Sequence, residues 1–91
     1  MELRLAHTGE AATVRRLAAL DDAPELEGQV LLALVDGAAV AAISLRDERV
    51  IADPFLPTRD VVAVLRLRAG HLQNVRLSRR RRHRLARLRP A

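Results

Sequence analysis

Two apolar segments of the chain, residues 29–35 and 38–45, are separated only by the dipeptide Asp36-Gly37. Asp-Gly between apolar segments is the strongest short-range signal for a β-hairpin, because a type I′ turn requires positive φ angles at both central residues. Neither segment alternates apolar with polar residues, so we expect a sheet that is covered on both faces, by the chain's own helices or by a partner. The hairpin thus requires a central antiparallel sheet.

The residues before this hairpin predict one strand and one helix. Leu3 and Leu5 alternate with Arg4, which is typical of a short, half-buried strand. Apolar residues at helical spacing then predict a helix over residues 9–21, with Thr8 as its N-cap. This first strand would add to the sheet that the hairpin begins.

The residues after the hairpin predict a third strand of the meander and a second helix. A charged turn over residues 46–49 leads into a strand at residues 50–53. Thr58 is the expected N-cap of the second helix, which either ends near Gly70 or continues through Val75. The predicted order is β-α-β-β-β-α, an α+β fold with an antiparallel meander.

The predicted core is made of small and aliphatic side chains, with Phe55 as the only aromatic residue in a chain of 91 residues. Such a core buries little area, because an aromatic side chain contributes most per residue. We therefore expect the chain to complete its core as a homo-oligomer, most simply a homodimer. Asp53-Pro54-Phe55 is interpreted as a turn, and Phe55 as an anchor of the core or of a dimer contact.

Charge divides the chain into an α+β domain, residues 1–75, and an arginine-rich tail, residues 76–91, interpreted as a helix extension or a disordered segment. The domain carries eight arginines against eleven acidic residues, whereas the tail carries eight arginines and no acid. The tail arginines, candidates for contact with nucleic acid or another anion, are Arg76, Arg79, Arg80, Arg81, Arg82, Arg84, Arg87 and Arg89.

Several roles for this tail follow from its charge. Arginine binds phosphate in a bidentate manner, so nucleic acid is one partner, contacted without stacking because no aromatic residue is interleaved. Anionic lipid is a second, although Leu85 and Leu88 offer only a thin apolar face. An acidic protein, such as the domain of another copy, is a third. A solvated tail without a partner is the fourth.

Other classes of site find little support in the composition. The chain has no cysteine, which excludes disulfides and cysteine-based metal sites. His7, His71 and His83 lack the spacing of metal ligands. The acidic residues at 21–22 and 25–27 fit a solvated helix end and loop, and Ser44 lacks the flanking glycines of a nucleophile elbow. We expect no catalytic, cofactor-binding or metal-binding residue.

The sequence also gives little indication of a segment for membrane insertion or export. The first residues carry no apolar run of the kind found in a signal peptide. No segment has the 18 or so apolar residues of a membrane span. The sequence therefore predicts no membrane span and a cytoplasmic location.

The element order resembles the N-terminal half of the GNAT N-acetyltransferases. Residues 3–11 are similar to the first strand and helix cap of that family, and residues 35–42 to its second hairpin. The resemblance covers residues 2–72 and implies a truncated GNAT-like fold. It also implies acetyl-CoA as the cofactor of an acyl-CoA-binding protein or N-acetyltransferase.

The family's pyrophosphate loop, R/Q-x-x-G-x-G/A at a helix N-terminus, falls on residues that depart from it. Its first position coincides with Pro57 and its two glycines with Asp60 and Val62. Proline has no N–H, an aspartate repels phosphate, and a valine prevents close approach of the backbone. We therefore expect a non-catalytic, self-associating interaction module without cofactor, with an acyl-CoA-binding protein or N-acetyltransferase as the alternative.

Overall fold

The computed structural model describes the backbone of residues 1–87 and the side chains of residues 1–75. The fold is α+β, with a four-stranded antiparallel sheet and two helices. A short 3-10 turn, Thr8–Glu10, precedes the first helix. In chain order the elements are β1 (Glu2–Leu5), α1 (Ala11–Leu20), β2 (Val30–Val35), β3 (Ala38–Ser44), β4 (Val50–Ala52) and α2 (Arg59–Arg87).

The four strands follow one another across the sheet in the order β1-β2-β3-β4, each antiparallel to the next. The central hairpin pairs Val35 with Ala38, and Asp36 and Gly37 have φ angles of 52° and 81°. Both central residues of the turn therefore have the positive φ that a type I′ turn requires. The predicted hairpin is confirmed.

A β-bulge interrupts the pairing of β2 with β3. Ala33 pairs with Ala41 and Leu34 with Ala39, so Val40 has no partner of its own in β2. Its carbonyl accepts a hydrogen bond from Asp53 N at 2.9 Å. Val40 and Ala41 consequently both belong to the core cluster on one face of the sheet, where regular alternation would place only one of them.

Each helix covers one face of the sheet. α1 packs through Val14, Leu17 and Ala18 against a cluster that includes Leu32 and Ile51. On the opposite face, α2 packs through Leu65 and Ala69 against Leu31, Ala33, Val40, Ala41 and Ile43. The expected two-sided cover is confirmed, and it comes from the chain's own helices.

The N-terminal boundary of the first helix differs from the prediction. His7, not Thr8, is the N-cap residue, and its Nδ1 accepts a hydrogen bond from Gly9 N at 3.2 Å. Glu10 in turn accepts a hydrogen bond from His7 N at 3.2 Å. The helix proper begins only at Ala11. The imidazole nitrogen takes the place that a serine or threonine hydroxyl usually has.

The connector before α2 is the turn that the sequence predicts, but Phe55 is not part of the core. Asp53 Oδ1 accepts a hydrogen bond from Phe55 N at 2.9 Å, and Asp53 O accepts one from Leu56 N. Phe55 is 81% exposed and belongs to neither core cluster. The core-anchor interpretation of Phe55 is wrong.

α2 continues through Gly70 and ends at Arg87, so of the two predicted alternatives the longer helix is found. Most of the arginine-rich segment thus has a helical backbone that continues the domain's own helix. Arg89 lies outside the described residues. No helix in residues 1–87 combines the length and apolar character that crossing a membrane requires.

Candidate functional site

A cleft of about 300 Å³ opens between the start of α1 and the loop that leads into β2. Its apolar wall is formed by Ala6, Ala11, Val14, Leu26 and Val30, and its polar rim by His7, Thr8, Glu10, Glu25 and Gln29. Gly28, with a φ of 73°, lies in the wall contributed by the loop. A mixed lining of this kind is the usual composition of a small-ligand site.

Two side chains of the cleft's rim, His7 and Glu10, form a cluster with Arg4, which is not part of the lining. Arg4 donates two hydrogen bonds to the carboxylate of Glu10, and the bond from Nη2 to Oε2 is 2.7 Å long. His7 Nε2 lies 3.3 Å from Oε1 of the same carboxylate. Glu10 therefore accepts hydrogen bonds from the backbone N–H of His7 and from the guanidinium of Arg4, and the His7 ring lies beside it.

The position of Arg4 in β1 explains this cluster. Arg4 pairs with Leu32, whose side chain packs under α1, so Arg4 lies on the same face of the sheet. The carboxylate of Glu10 comes from the turn just before that helix. The alternation of a strand thus places one arginine directly beside the first turn of a helix.

The guanidinium of Arg4 is the main cause that lowers the pKa of Glu10 from 4.5 to about 2. The hydrogen bond from His7 N acts in the same direction, and partial removal from water opposes both. The same contact raises the pKa of Arg4. Glu10 is a carboxylate at any physiological pH, which makes it an anchor for a cation or N–H donor and not a general acid.

Glu10→Gln is expected to remove part of the acid sensitivity of the fold. Because folding lowers the pKa of Glu10, its contribution to stability is present above about pH 4.5 and is lost as the pH falls towards 2. The wild type should therefore be more stable than the variant at neutral pH, and this difference should shrink to nothing near pH 2. Thermal unfolding at a series of pH values measures it.

Glu25→Gln is the matched control, since Glu25 is an exposed rim residue and the change in net charge is the same. Its unfolding temperature should follow that of the wild type much more closely between pH 4.5 and 2. A pH profile of Glu10→Gln that parallels the wild type would contradict the assigned role of the Arg4 contact.

A second cleft, of about 390 Å³, lies on the other side of the same loop, and its contacts are structural. Arg49 donates hydrogen bonds to the carbonyls of Pro24 and Glu25, at 2.5 and 2.6 Å. Arg46 lies 3.5 Å from the carboxylate of Glu27. The backbone N–H of Arg49 is the main cause that lowers the pKa of Asp47. These groups bind the turn after β3 to the loop before β2.

The other residues considered from sequence are not brought together. His7 and His71 are exposed and lie on different elements, and the side chain of His83 is outside the described part. Asp21 accepts a hydrogen bond from Ala52 N at 3.1 Å, whereas the carboxylate of Glu27 lies beside Arg46, so these two acids have different partners. Among the side chains of residues 1–75, no three His, Asp or Glu groups converge into a possible metal site.

Ser44 is buried, and its hydroxyl has two backbone partners, one in the loop before β2 and one in the turn after β3. The hydroxyl donates to Glu27 O and accepts from Arg46 N, both at 3.2 Å. Glu27 lies in the loop that forms one wall of the first cleft. The serine therefore has the structural role that the absence of a nucleophile elbow indicates.

The start of α2 holds the three residues that depart from the GNAT phosphate loop. Pro57 precedes the helix, Asp60 is an exposed acid in its first turn, and Val62 is half-buried against the sheet. Val62 N donates to Thr58 O at 2.8 Å, so Thr58 occupies the predicted cap position. Residues 57–62 contain no glycine that would let a phosphate approach the backbone N–H groups closely, and the positive charge of Arg59 is next to the negative charge of Asp60.

The cleft with its Arg4, His7 and Glu10 cluster is the site that the sequence analysis missed. One signal was available, because His7 and Glu10 have the three-residue separation of a capping box. Seven of the eight tail arginines predicted as contacts lie in residues 76–87, whose backbone is helical. The eighth, Arg89, is outside the described residues. Comparison with protein-family models, curated proteins and solved structures finds no match to this chain.

Proposed function

We propose that this chain is a non-catalytic interaction module that associates with a second copy of itself through the outward face of α2. The observation that carries the proposal is Leu67, which is 77% exposed in the middle of that helix. Leucine at such a position gains about 2 kcal/mol when a partner covers it. The opposite face of the helix packs on the sheet, where Leu65 and Ala69 are fully buried.

The spacing along the outward face of α2 favours another helix of the same kind as the partner. Ala63, Leu67, Gly70 and Asn74 alternate separations of four and three residues, the heptad spacing of a two-stranded coiled coil. Gly70 leaves room for a close approach, since a Cβ added there would have no neighbour within 4 Å. A single asparagine in such a seam pairs with its own copy in a parallel dimer.

The edges of the sheet support this choice of surface. Asp21 Oδ2 accepts the hydrogen bond of Ala52 N in the outer strand β4, at 3.1 Å. That contact occupies a backbone donor that a second sheet would need for strand pairing. At the opposite edge, β1 carries the charged residues Glu2 and Arg4. A helix-mediated contact is therefore the more favourable route to a dimer.

Sedimentation equilibrium at low and high salt tests the proposal. A parallel pair brings two arginine-rich segments side by side, so the dimer should strengthen as salt screens their repulsion. Leu67→Glu should make the chain monomeric, whereas Val35→Glu, an equal change at an exposed residue of the hairpin, should not. A chain that stays monomeric at high salt, or equal dissociation of both variants, would contradict the proposal.

The second candidate, an acyl-CoA-binding protein or N-acetyltransferase, is favoured by the element order β-α-β-β-β-α. Against it stand the properties of Pro57, Asp60 and Val62 at the start of α2. Thermal unfolding with and without acetyl-CoA separates the two functions. A clear rise of the melting temperature with ligand concentration would favour the second candidate, because only a ligand of the folded state stabilises it.

A further inference from the structure

The C-terminal part of α2 concentrates the positive charge of the chain. Residues 76–87, here named the arm, contain seven arginines and no acidic residue, and their backbone is helical. Successive residues of an α-helix are about 100° apart. The four consecutive arginines at 79–82 therefore occupy positions around the whole circumference of the helical backbone.

The arm extends past the sheet. Leu72 packs on the sheet face, and Gln73 donates a hydrogen bond to Leu45 O at the end of β3. With 29 residues, α2 is about 44 Å long, whereas the molecule measures 58 Å along its longest axis and only 23 and 20 Å across. The helix therefore accounts for most of the long dimension of the molecule, and the arm backbone continues it past the contacts with the sheet that are described for residues 59–75.

The charges of the two parts have opposite signs. Residues 1–75 carry eleven acidic residues and eight arginines, so the domain is net negative while the arm is strongly positive. An extended polyanion is attracted by the arm and repelled by the domain. The partner therefore meets a defined part of the surface, and not the whole molecule.

We propose that the arm binds the phosphate backbone of duplex nucleic acid without reading its sequence. A guanidinium forms two parallel hydrogen bonds with a phosphate and stays charged at all working pH values. A single α-helix, with its side chains included, is about 10–12 Å wide, which matches the width of the major groove of a DNA duplex. A helical backbone with arginine positions around its whole circumference suits a groove with phosphates along both walls.

Two other polyanionic partners fit this distribution of charge less well. A helix that lies on an anionic membrane needs one continuous apolar face, and four consecutive arginines interrupt any such face. Single-stranded nucleic acid is bound largely by stacking on aromatic side chains, and the chain has only Phe55, in the turn before α2.

The arm also provides a spectroscopic signal for binding. Like charges three and four residues apart destabilise a helix, and several arginines of the arm have this separation, among them Arg76 with Arg80 and Arg80 with Arg84. Phosphates that neutralise these charges remove the repulsion. The helical signal in far-ultraviolet circular dichroism should therefore increase when a duplex is added.

The test measures binding of the full chain to a labelled DNA duplex of two helical turns, by fluorescence anisotropy at several salt concentrations. If about six phosphates are neutralised, the logarithm of the affinity should fall with a slope of about −5 against the logarithm of the salt concentration. Affinity would then fall about 1,000-fold between 50 and 200 mM salt. The RNA duplex of the same sequence distinguishes the two nucleic acids.

Two variants with the same net charge locate the binding surface. R79Q/R80Q/R81Q/R82Q removes four charges from the arm, and R15Q/R16Q/R66Q/R68Q removes four exposed arginines from the domain. Binding should be lost, with a slope closer to zero, only in the arm variant. R79K/R80K/R81K/R82K should retain most of the affinity, since charge is kept.

Three results would overturn the proposal. The first is equal loss of binding in the arm and domain variants, which would mean that net charge alone is responsible. The second is an affinity that does not change with salt. The third is binding to vesicles that contain phosphatidylserine together with no binding to either duplex, which would assign the arm to a membrane surface.

Discussion

Leu65→Ala is expected to lower the free energy of unfolding by about 2–5 kcal/mol, the usual range for a fully buried leucine. Leu65 has no exposed surface, and it packs between α2 and the sheet in a cluster of small and aliphatic side chains. The loss includes the cavity that remains, because neighbouring alanines such as Ala33 and Ala41 cannot move to fill it. Urea unfolding followed by circular dichroism measures the change.

Leu67→Ala is the matched control for this prediction. The residue type, the helix and the substitution are the same, but Leu67 is 77% exposed and lies two positions further along. Its free energy of unfolding should change by no more than about 0.5 kcal/mol at a protein concentration where the chain is monomeric. Similar losses in both variants would contradict the packing of α2 through Leu65.

The comparison of Leu65→Ala with Leu67→Ala also bears on the arm, because the arm continues α2. Residues 76–87 continue a helix whose only buried anchors on the sheet are Leu65 and Ala69, within residues 59–75. Isolated short helices are marginal in water, and repulsion among arginines weakens this one further. A weakened anchor at Leu65 should therefore also lower the helical content of the arm.

Local signals in the sequence account for most of the fold. Asp36-Gly37 specifies its turn through backbone angles that few residues adopt, so the hairpin could be predicted without any knowledge of the rest. The apolar runs on either side predict a sheet buried on both faces. The bulge at Val40 carries no such signal, because the run from Ala38 to Leu45 is apolar throughout.

The parts that depend on distant contacts could not be predicted in the same way. The sequence predicts Phe55 as an anchor of the core or of a dimer contact, and the turn that Asp53 forms leaves its ring exposed, which excludes the first alternative and leaves the dimer contact as a prediction. The cluster of Arg4 and Glu10 depends on the register of β1 against β2, which places Arg4 on the face of the sheet that α1 covers, beside Glu10. The sequence shows that Arg4 and Glu10 are six residues apart, but it does not show that Arg4 lies on the same face of the sheet as the turn that carries Glu10.

Ser44→Ala is expected to lower the free energy of unfolding by about 1–2 kcal/mol, although it removes a single oxygen atom. The hydroxyl donates to Glu27 O and accepts from Arg46 N, so its loss leaves two backbone groups without their partner beside a buried position. The cost exceeds that of an ordinary hydrogen bond because buried polar groups must be satisfied. The loop that lines the first cleft should also exchange its amide hydrogens faster.

Thr8→Ala removes a hydroxyl, together with a methyl group, from an exposed residue at the start of the 3-10 turn and serves as the control. If His7 is the cap, this change should alter the free energy of unfolding by less than about 0.5 kcal/mol. A loss near 1 kcal/mol, the usual cost of removing a threonine cap, would show instead that Thr8 caps the helix. His7→Ala should then be silent, whereas the hydrogen bond from Gly9 N to Nδ1 predicts that His7→Ala is the destabilising change. The pair Ser44→Ala and Thr8→Ala thus tests, by the loss of a hydroxyl at a buried and at an exposed position, whether burial and backbone partners decide what a hydroxyl contributes to this fold.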